Sequence, residues 1–142
     1  MTATQIAIVT EMRDGELVPV ALKANAIVLQ GTFAIVDATG FAISSSVAAA
    51  ANQKCLGVWD NSADNTGGND GDRIACVRRK KQFLFANLST DAVTQADLGA
   101  TVYVADNQTV AKSSNTNTRP VAGKFMGFDT QYTDYVWVEI QQ

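Results

Sequence analysis

Short stretches in which apolar and polar residues alternate recur along most of the chain. From Ala26 onward there are nine, each near the usual strand length and bounded by Gly, Asn, Asp or Ser. They read AIVLQG, TFAIVDA, KCLGVWD, RIACVRR, KQFLFANL, ATVYVAD, QTVAKS, VAGKFMGFD and DYVWVEI. A period of two is typical of strands that bury one face, so the pattern predicts an all-β protein, a compact sandwich or barrel of short antiparallel strands.

Two further alternating stretches, TQIAIVTEM and ELVPVALKA, flank Asp14-Gly15 near the start. Asp-Gly between such stretches indicates a hairpin, because both central residues of a type I′ turn need positive φ. Pro19 has no N–H to donate, which places the second stretch at a sheet edge or off the sheet. The alternative is an extended arm that becomes ordered only against a partner. We assign residues 1–24 to this arm or edge hairpin and residues 25–142 to a single β domain.

Only two segments favour a helix, so we expect at most one or two short helices. SSSVAAAANQK combines a serine N-cap with good helix formers. STDAVTQADLG offers Ser89 or Thr90 as a cap and Gly99 as a C-terminal stop.

The stretch beginning at Gly99 resembles the one beginning at Gly31. The aligned pairs are Gly31 with Gly99, Val36 with Val104, and Ser45-Ser46 with Ser113-Ser114. Downstream, LGVWD resembles MGFD, and an acid-led strand follows each. This common order of features favours a duplication with repeat units 25–88 and 89–142. The alternative is that short strands and turns resemble one another in any all-β protein.

Composition narrows the function classes. The net charge of −3 creates no general attraction to nucleic acid or anionic membrane, and we expect neither as a partner. The absence of histidine removes the commonest general base and metal ligand, and no phosphate-binding glycine loop occurs. We therefore expect no enzyme activity and no cofactor. Without a leader or an apolar run of about 20 residues, we expect synthesis in a reducing cytoplasm, where thiols stay reduced.

The loop DNSADNTGGNDGD, residues 60–72, is the most tempting ligand site. Its carboxylates could offer Ca²⁺ the hard oxygens it prefers. The candidate ligands are Asp60, Asp64, Asp70 and Asp72. The spacing does not fit an EF-hand, since Asn65 stands where the turn glycine belongs, and the β-roll-like GGNDGDRIA occurs only once. The sequence favours a long, polar, mobile loop between two strands, and we assign no metal site.

Three other features permit both a structural and a functional interpretation. The run RRKK, Arg78–Lys81, is either a charged strand end that deters edge pairing or a contact for a partner. Cys55 and Cys76 could reach disulfide distance if their strands pair in register; the alternative is two buried thiols. The aromatic residues predict core packing, whereas Phe83 and Phe85 beside RRKK would also suit stacking on single-stranded nucleic acid.

The stretch ADLGATVYVADNQTVAKSSNTNTRPVAGKFMGF, with the later YVWVEI, resembles the C-terminal half of small capsid decoration (cement, or head-stabilising) proteins of tailed bacteriophages. That family has a Gly-x-x-Val-Tyr strand, a hairpin, a Ser/Thr/Asn loop, an apolar-Gly strand and a closing Val-x-Val strand. The matching positions are Gly99, Val102, Tyr103, Gly127, Val136 and Val138. Residues 26–77 resemble the family's N-terminal unit, and RRKKQFLFANL lies where the two halves are linked. The long Asp-rich loop and the cysteines depart from the family pattern.

The resemblance, over about residues 20–142, implies a non-enzymatic protein that binds the outer surface of an assembled capsid and stabilises contacts between capsomers. It implies two partners, the major capsid protein and further copies of itself in a homotrimer, and a location on the virion. The candidate capsid contacts are Met1, Thr2, Ile6, Ile8, Arg13, Lys23, Arg78, Arg79, Lys80 and Lys81. The alternative is a virion-displayed carbohydrate- or receptor-binding β module that uses the Asp-rich loop.

Overall fold

The computed structural model describes residues 3–141, which contain eleven short β-strands. The strands are β1 (Leu17–Ala21), β2 (Ile27–Val28), β3 (Phe33–Val36), β4 (Lys54–Trp59), β5 (Ala63–Asp64), β6 (Ile74–Arg78), β7 (Lys81–Asn87), β8 (Thr101–Asp106), β9 (Thr109–Ala111), β10 (Val121–Phe128) and β11 (Tyr135–Ile140). Two 3₁₀ helices, Ser89–Asp91 and Gln95–Asp97, are the only helices in this part of the chain. The predicted all-β fold is confirmed, and each of the nine stretches after Ala26 contains a strand.

The strands form two small barrels in succession. In the first, the sheet order is β1-β6-β4-β3, and Ala42 completes the circuit by bridging Val36 on one side and Leu22 on the other. In the second, β10-β11-β7-β9-β8 is a closed barrel in which β9 pairs antiparallel with β8 and parallel with β7. Closure leaves few unpaired strand edges.

The two barrels repeat the same pairing pattern. Ala42 contacts Val36 antiparallel and Leu22 parallel; Val110 pairs with Val104 antiparallel and with Asn87 parallel. An equivalent backbone hydrogen bond also extends the β3–β4 pair and the β8–β10 pair. Gly31 N donates to Trp59 O at 2.9 Å, and Gly99 N donates to Phe125 O at 2.8 Å.

The two barrels meet at the Arg79-Lys80 link, because β7 pairs within the second barrel. A duplication with units 25–88 and 89–142 stays a prediction, and the pairing indicates a different downstream alignment. The residue equivalent to Gly57 is Gly123, not Gly127, since Gly57 pairs with Ala34 as Gly123 pairs with Val102. The alignment of Gly31 with Gly99 agrees with the register.

Each barrel encloses an apolar core from equivalent positions. The first core contains Val20, Leu22, Val28, Ala34, Val36, Ala42, Trp59, Ala75 and Val77. The second contains Phe85, Val93, Val102, Val104, Val110, Phe125, Val136 and Val138. Where one core has a larger side chain than the other, it has a smaller one at a nearby position. Trp59 takes the place of Phe125, and Ala75 takes the place of Val136, so the larger indole has a smaller neighbouring position.

An apolar layer joins the barrels. Phe33, Cys55 and Val58 of the first barrel pack against the core of the second. Phe33 stacks on Phe85 with ring centroids 3.9 Å apart, and its N–H donates to Asn107 O at 3.1 Å. The first barrel therefore covers part of the second.

Three local predictions differ from the structure. The Asp14-Gly15 hairpin does not form: β1 pairs with β6 instead, at the sheet edge that Pro19 allows, and residues 3–13 form no strand. The segment SSSVAAAANQK has turns but no helix, and STDAVTQADLG has two 3₁₀ turns instead of one helix. Both lie between strands of a closed barrel, so ring closure overrides local helix propensity.

A glycine beside the β3–β4 bulge and another beside the β8–β10 bulge permit a close backbone approach, which yields a stability prediction. An added Cβ would lie 2.4 Å from Arg78 O at Gly57 and 2.2 Å from Glu139 O at Gly123. We expect Gly57→Ala and Gly123→Ala each to lower the free energy of unfolding by about 2–3 kcal/mol. Gly31→Ala, where a Cβ meets open space at positive φ, should cost about 1 kcal/mol. Urea denaturation measures all three; equal losses would contradict the close-approach argument.

Candidate functional site

The N-terminal segment, residues 3–13, is the most exposed apolar part of the described chain. It forms no helix or strand. The exposed fractions are 76% for Ile6, 67% for Ile8, 94% for Val9 and 93% for Met12. Large apolar side chains that are exposed together mark a surface for another molecule. Ile6, Ile8 and Arg13 of the predicted contacts lie here, whereas Met1 and Thr2 lie outside the described residues.

The segment leaves the domain beside the link between the barrels. Arg79 N donates to Glu16 O at 2.9 Å, and Lys81 Nζ lies 3.4 Å from Glu16 Oε2. Leu17, the first residue of β1, pairs with Arg78. The N-terminal segment is therefore attached to the domain at Glu16 and Leu17, and residues 3–13 extend from that point. We call the attached end the root of the segment.

The basic run, Arg78–Lys81, makes contacts within its own domain. Arg78 Nε donates to Asp60 Oδ1 at 2.8 Å, and Arg79 Nη2 donates to Gln141 O at 2.9 Å. Lys80 occupies the tight link with φ of 61°. Because Arg78 and Lys81 each face a carboxylate, the run presents less free positive charge than its sequence indicates.

Lys23, the last predicted contact, forms an ion pair with Asp37 in the first barrel. Hydrogen bonds from Lys23 and then Thr39 lower the pKa of Asp37 from 3.8 to about 2. A carboxylate with a depressed pKa stabilises the fold above its unfolded-state pKa, and this stabilisation disappears as the pH falls through the folded-state value.

The Lys23–Asp37 pair predicts a pH-dependent effect on stability. Asp37→Asn should lower the melting temperature by a few degrees at pH 7. The difference from the wild type should shrink as the pH falls from about 4 to about 2. Asp134→Asn, at an exposed position without an ion pair in the described chain, is the control. A deficit in Asp37→Asn that stays constant down to pH 2 would contradict this role.

The carboxylates of the Asp-rich loop make hydrogen bonds within their own domain. The four candidate calcium ligands accept hydrogen bonds as follows: Asp60 from Arg78, Asp64 from Thr66, Asp70 from Ala24 N, and Asp72 from Asn69 N. The bonds from Thr66 hold the pKa of Asp64 below its usual range. Within residues 3–141, no three Cys, Asp or Glu side chains gather in a way that would hold a metal ion.

Asn65 lies at the centre of this loop and is 2% exposed. Its Nδ2 donates to Lys23 O at 2.9 Å and to Asn69 O at 3.0 Å. The loop also contributes β5, which pairs with β2 and has no counterpart in the described part of the second barrel. These contacts assign the loop a structural role.

Removing the buried amide should therefore destabilise the first barrel. We expect Asn65→Ala to lower the free energy of unfolding by about 2 kcal/mol, because two partly buried carbonyl groups lose their donor. Asn69→Ala removes an exposed amide from the same loop and should change it by less than about 0.5 kcal/mol. Urea unfolding followed by tryptophan fluorescence is the measurement. Equal effects would show that the loop is not organised around Asn65.

The two cysteines lie apart and are free thiols. Cys76 pairs with Pro19 on β1, whereas Cys55 lies in the layer between the barrels. In the β4–β6 register, Trp59 is opposite Val77, so Cys55 and Cys76 do not face each other and the conditional disulfide prediction is wrong. Burial raises the pKa of the Cys55 thiol to about 12.

The aromatic residues follow the core prediction in part. Trp59, Phe85 and Phe125 are buried, and the Phe33–Phe85 stack removes Phe85 from any nucleic-acid platform. Tyr135 is an exception: it is 42% exposed and makes an edge-to-face contact with exposed Tyr132.

The protein-family models, curated proteins and solved structures contain no match to this chain. Among the described residues, no helix is long and apolar enough to cross a membrane.

Proposed function

We propose that this chain is a structural virion protein that binds the outer surface of an assembled phage capsid and stabilises contacts between capsomers. The observation that carries the proposal is the apolar N-terminal segment, which is exposed beside a compact all-β domain. The strand order that resembles decoration proteins gives the class of partner. The proposal includes the major capsid protein and further copies in a homotrimer as partners, and the virion as the location.

The physical properties of the chain suit this role. Its charge is low, so binding would rest on apolar contacts rather than on a strong field. A repetitive shell presents many copies of one site, and linked weak contacts on such a lattice become strong. An extended segment would also gain main-chain hydrogen bonds if it added a strand to a partner.

The same features do not favour the alternative carbohydrate- or receptor-binding module. That alternative relied on the Asp-rich loop, whose carboxylates accept hydrogen bonds from their own domain. The exposed apolar segment, by contrast, has a surface composition typical of protein contacts.

Binding to undecorated phage heads tests the proposal. Purified chain should sediment with the heads at a fixed stoichiometry and raise their resistance to heat. Replacing Ile6, Ile8, Val9 and Met12 together by Ser keeps the length of the segment and should weaken binding at least about 100-fold. Val47→Ser, a change at an exposed apolar residue elsewhere, is the control.

The variant should keep the circular dichroism spectrum and melting temperature of the parent chain, because these side chains are exposed in the domain. Saturable binding by the parent chain but not by the four-residue variant supports the proposal. Failure of the parent chain to bind any undecorated head would contradict the function. Unchanged binding by the variant would contradict the role of the segment.

A further inference from the structure

Strand β4 has one free edge along its first half. Strand β3 pairs with it from Lys54 to Val58, whereas β6 pairs only with Val58 and Trp59. Lys54, Cys55 and Leu56 therefore form ladder hydrogen bonds with a strand on one side only. An unpaired edge presents backbone N–H and C=O groups that can pair with another chain.

A groove runs along this edge. It has a volume of about 350 Å³ and is lined by Gln53, Lys54, Cys55, Leu56 and Val121. Leu56 is the extra residue of the β4 bulge and is half-buried, and Val121 of β10 is 39% exposed. Apolar side chains thus lie beside unpaired backbone, which is the combination that strand addition uses.

A second groove of about 200 Å³ shares Val121 and extends the first across the outer face of the second barrel. Lys124 and Glu139 line it, together with Gly123. Together the grooves provide an apolar centre with charged groups at the rim. An extended segment with alternating apolar residues and few charges would fit this surface.

The N-terminal segment has these properties. In an extended conformation, Ile6, Ile8 and Met12 share one face because side chains alternate with a period of two. Glu11 is the one ionisable side chain between Thr4 and Met12. The groove rim offers lysines to this carboxylate, Lys54 in the first groove and Lys124 in the second.

The segment does not occupy the groove of its own chain. Its root continues into β1, which is separated from β4 by the single strand β6, so the two lie about 10 Å apart. Residues 3–13 nevertheless remain exposed. Edge and segment are therefore both unpaired in one copy, and a second copy supplies each with a partner.

We propose that the N-terminal segment of one copy adds as a β-strand to the Lys54–Leu56 edge of a second copy, with Ile6 and Ile8 packed against Leu56 and Val121. On a decorated shell, a second copy of the chain would then be the partner of the N-terminal segment. In that setting the inference rests on the proposed function. Self-association in solution follows whether or not the protein binds a capsid.

Sedimentation velocity across a concentration series, together with hydrogen exchange, tests the inference. The full chain should form species heavier than the 15.1 kDa monomer, and the amides of Lys54–Leu56 should become protected as the concentration rises. Ile8→Lys on the segment and Val121→Lys on the groove should each weaken self-association at least about 10-fold. Gln5→Lys adds the same charge on the face of the extended segment opposite to Ile6 and Ile8. Ile74→Lys adds it at an exposed residue of β6 away from the groove, and both should leave association unchanged.

Matching losses in Ile8→Lys and Val121→Lys, with unchanged melting temperatures, support strand exchange. A chain that stays monomeric throughout, or protection of Lys54–Leu56 that does not depend on concentration, would overturn it. Association that Ile8→Lys abolishes and Val121→Lys leaves intact would also overturn it, since the segment would then bind elsewhere. Self-association without head binding would contradict the proposed function and leave this inference standing.

Discussion

Ring closure by one short strand is the constraint on which both barrels depend. A barrel of about five short strands has no stable core until its last strand meets its first. The first barrel meets this need with the single residue Ala42, which bridges Val36 and Leu22. The second uses β9, whose parallel pairing with β7 closes the ladder. Once the rings close, alternate residues point inward and form the two apolar cores.

The two barrels differ in sequence where their surroundings differ. The face of the first barrel that carries Phe33 and Val58 is apolar because it covers the second barrel. The equivalent residues of the second barrel, Thr101 and Lys124, are exposed. The same barrel face therefore forms an internal interface in the first barrel and an outward face in the second, and the outward face borders the grooves beside Val121.

Much of the fold could be predicted from alternation alone, because a period of two marks most of the strands after Ala26. The two-residue strand β5 is an exception, since it lies in the segment predicted as a loop. Ring closure could not be predicted, since it depends on contacts such as Leu22 with Ala42 that no local pattern reveals. The glycine pattern also misled the alignment: MGFD resembles LGVWD in sequence, yet the close approach to Glu139 O requires glycine at position 123. Whether a position requires glycine depends on which backbone groups pack against it, and that packing exists only in the closed barrel.

Only part of the candidate site could be predicted from the sequence. The alternation of Ile6 and Ile8 indicated either a hairpin or an arm, and only the pairing of β1 with β6 distinguishes them. Charges in RRKK looked free because their partners, Asp60 and Glu16, are distant in sequence. No sequence pattern indicated the groove beside Leu56. The free edge exists because β6 ends before it reaches the first residues of β4.

Cryo-electron microscopy of undecorated heads mixed with the purified chain is the decisive measurement. We expect density for the two-barrel domain at regular positions on the outer surface, with the N-terminal segment ordered against a neighbouring molecule. Bare heads at saturating protein, or bound domains whose N-terminal segment contacts nothing, would contradict it.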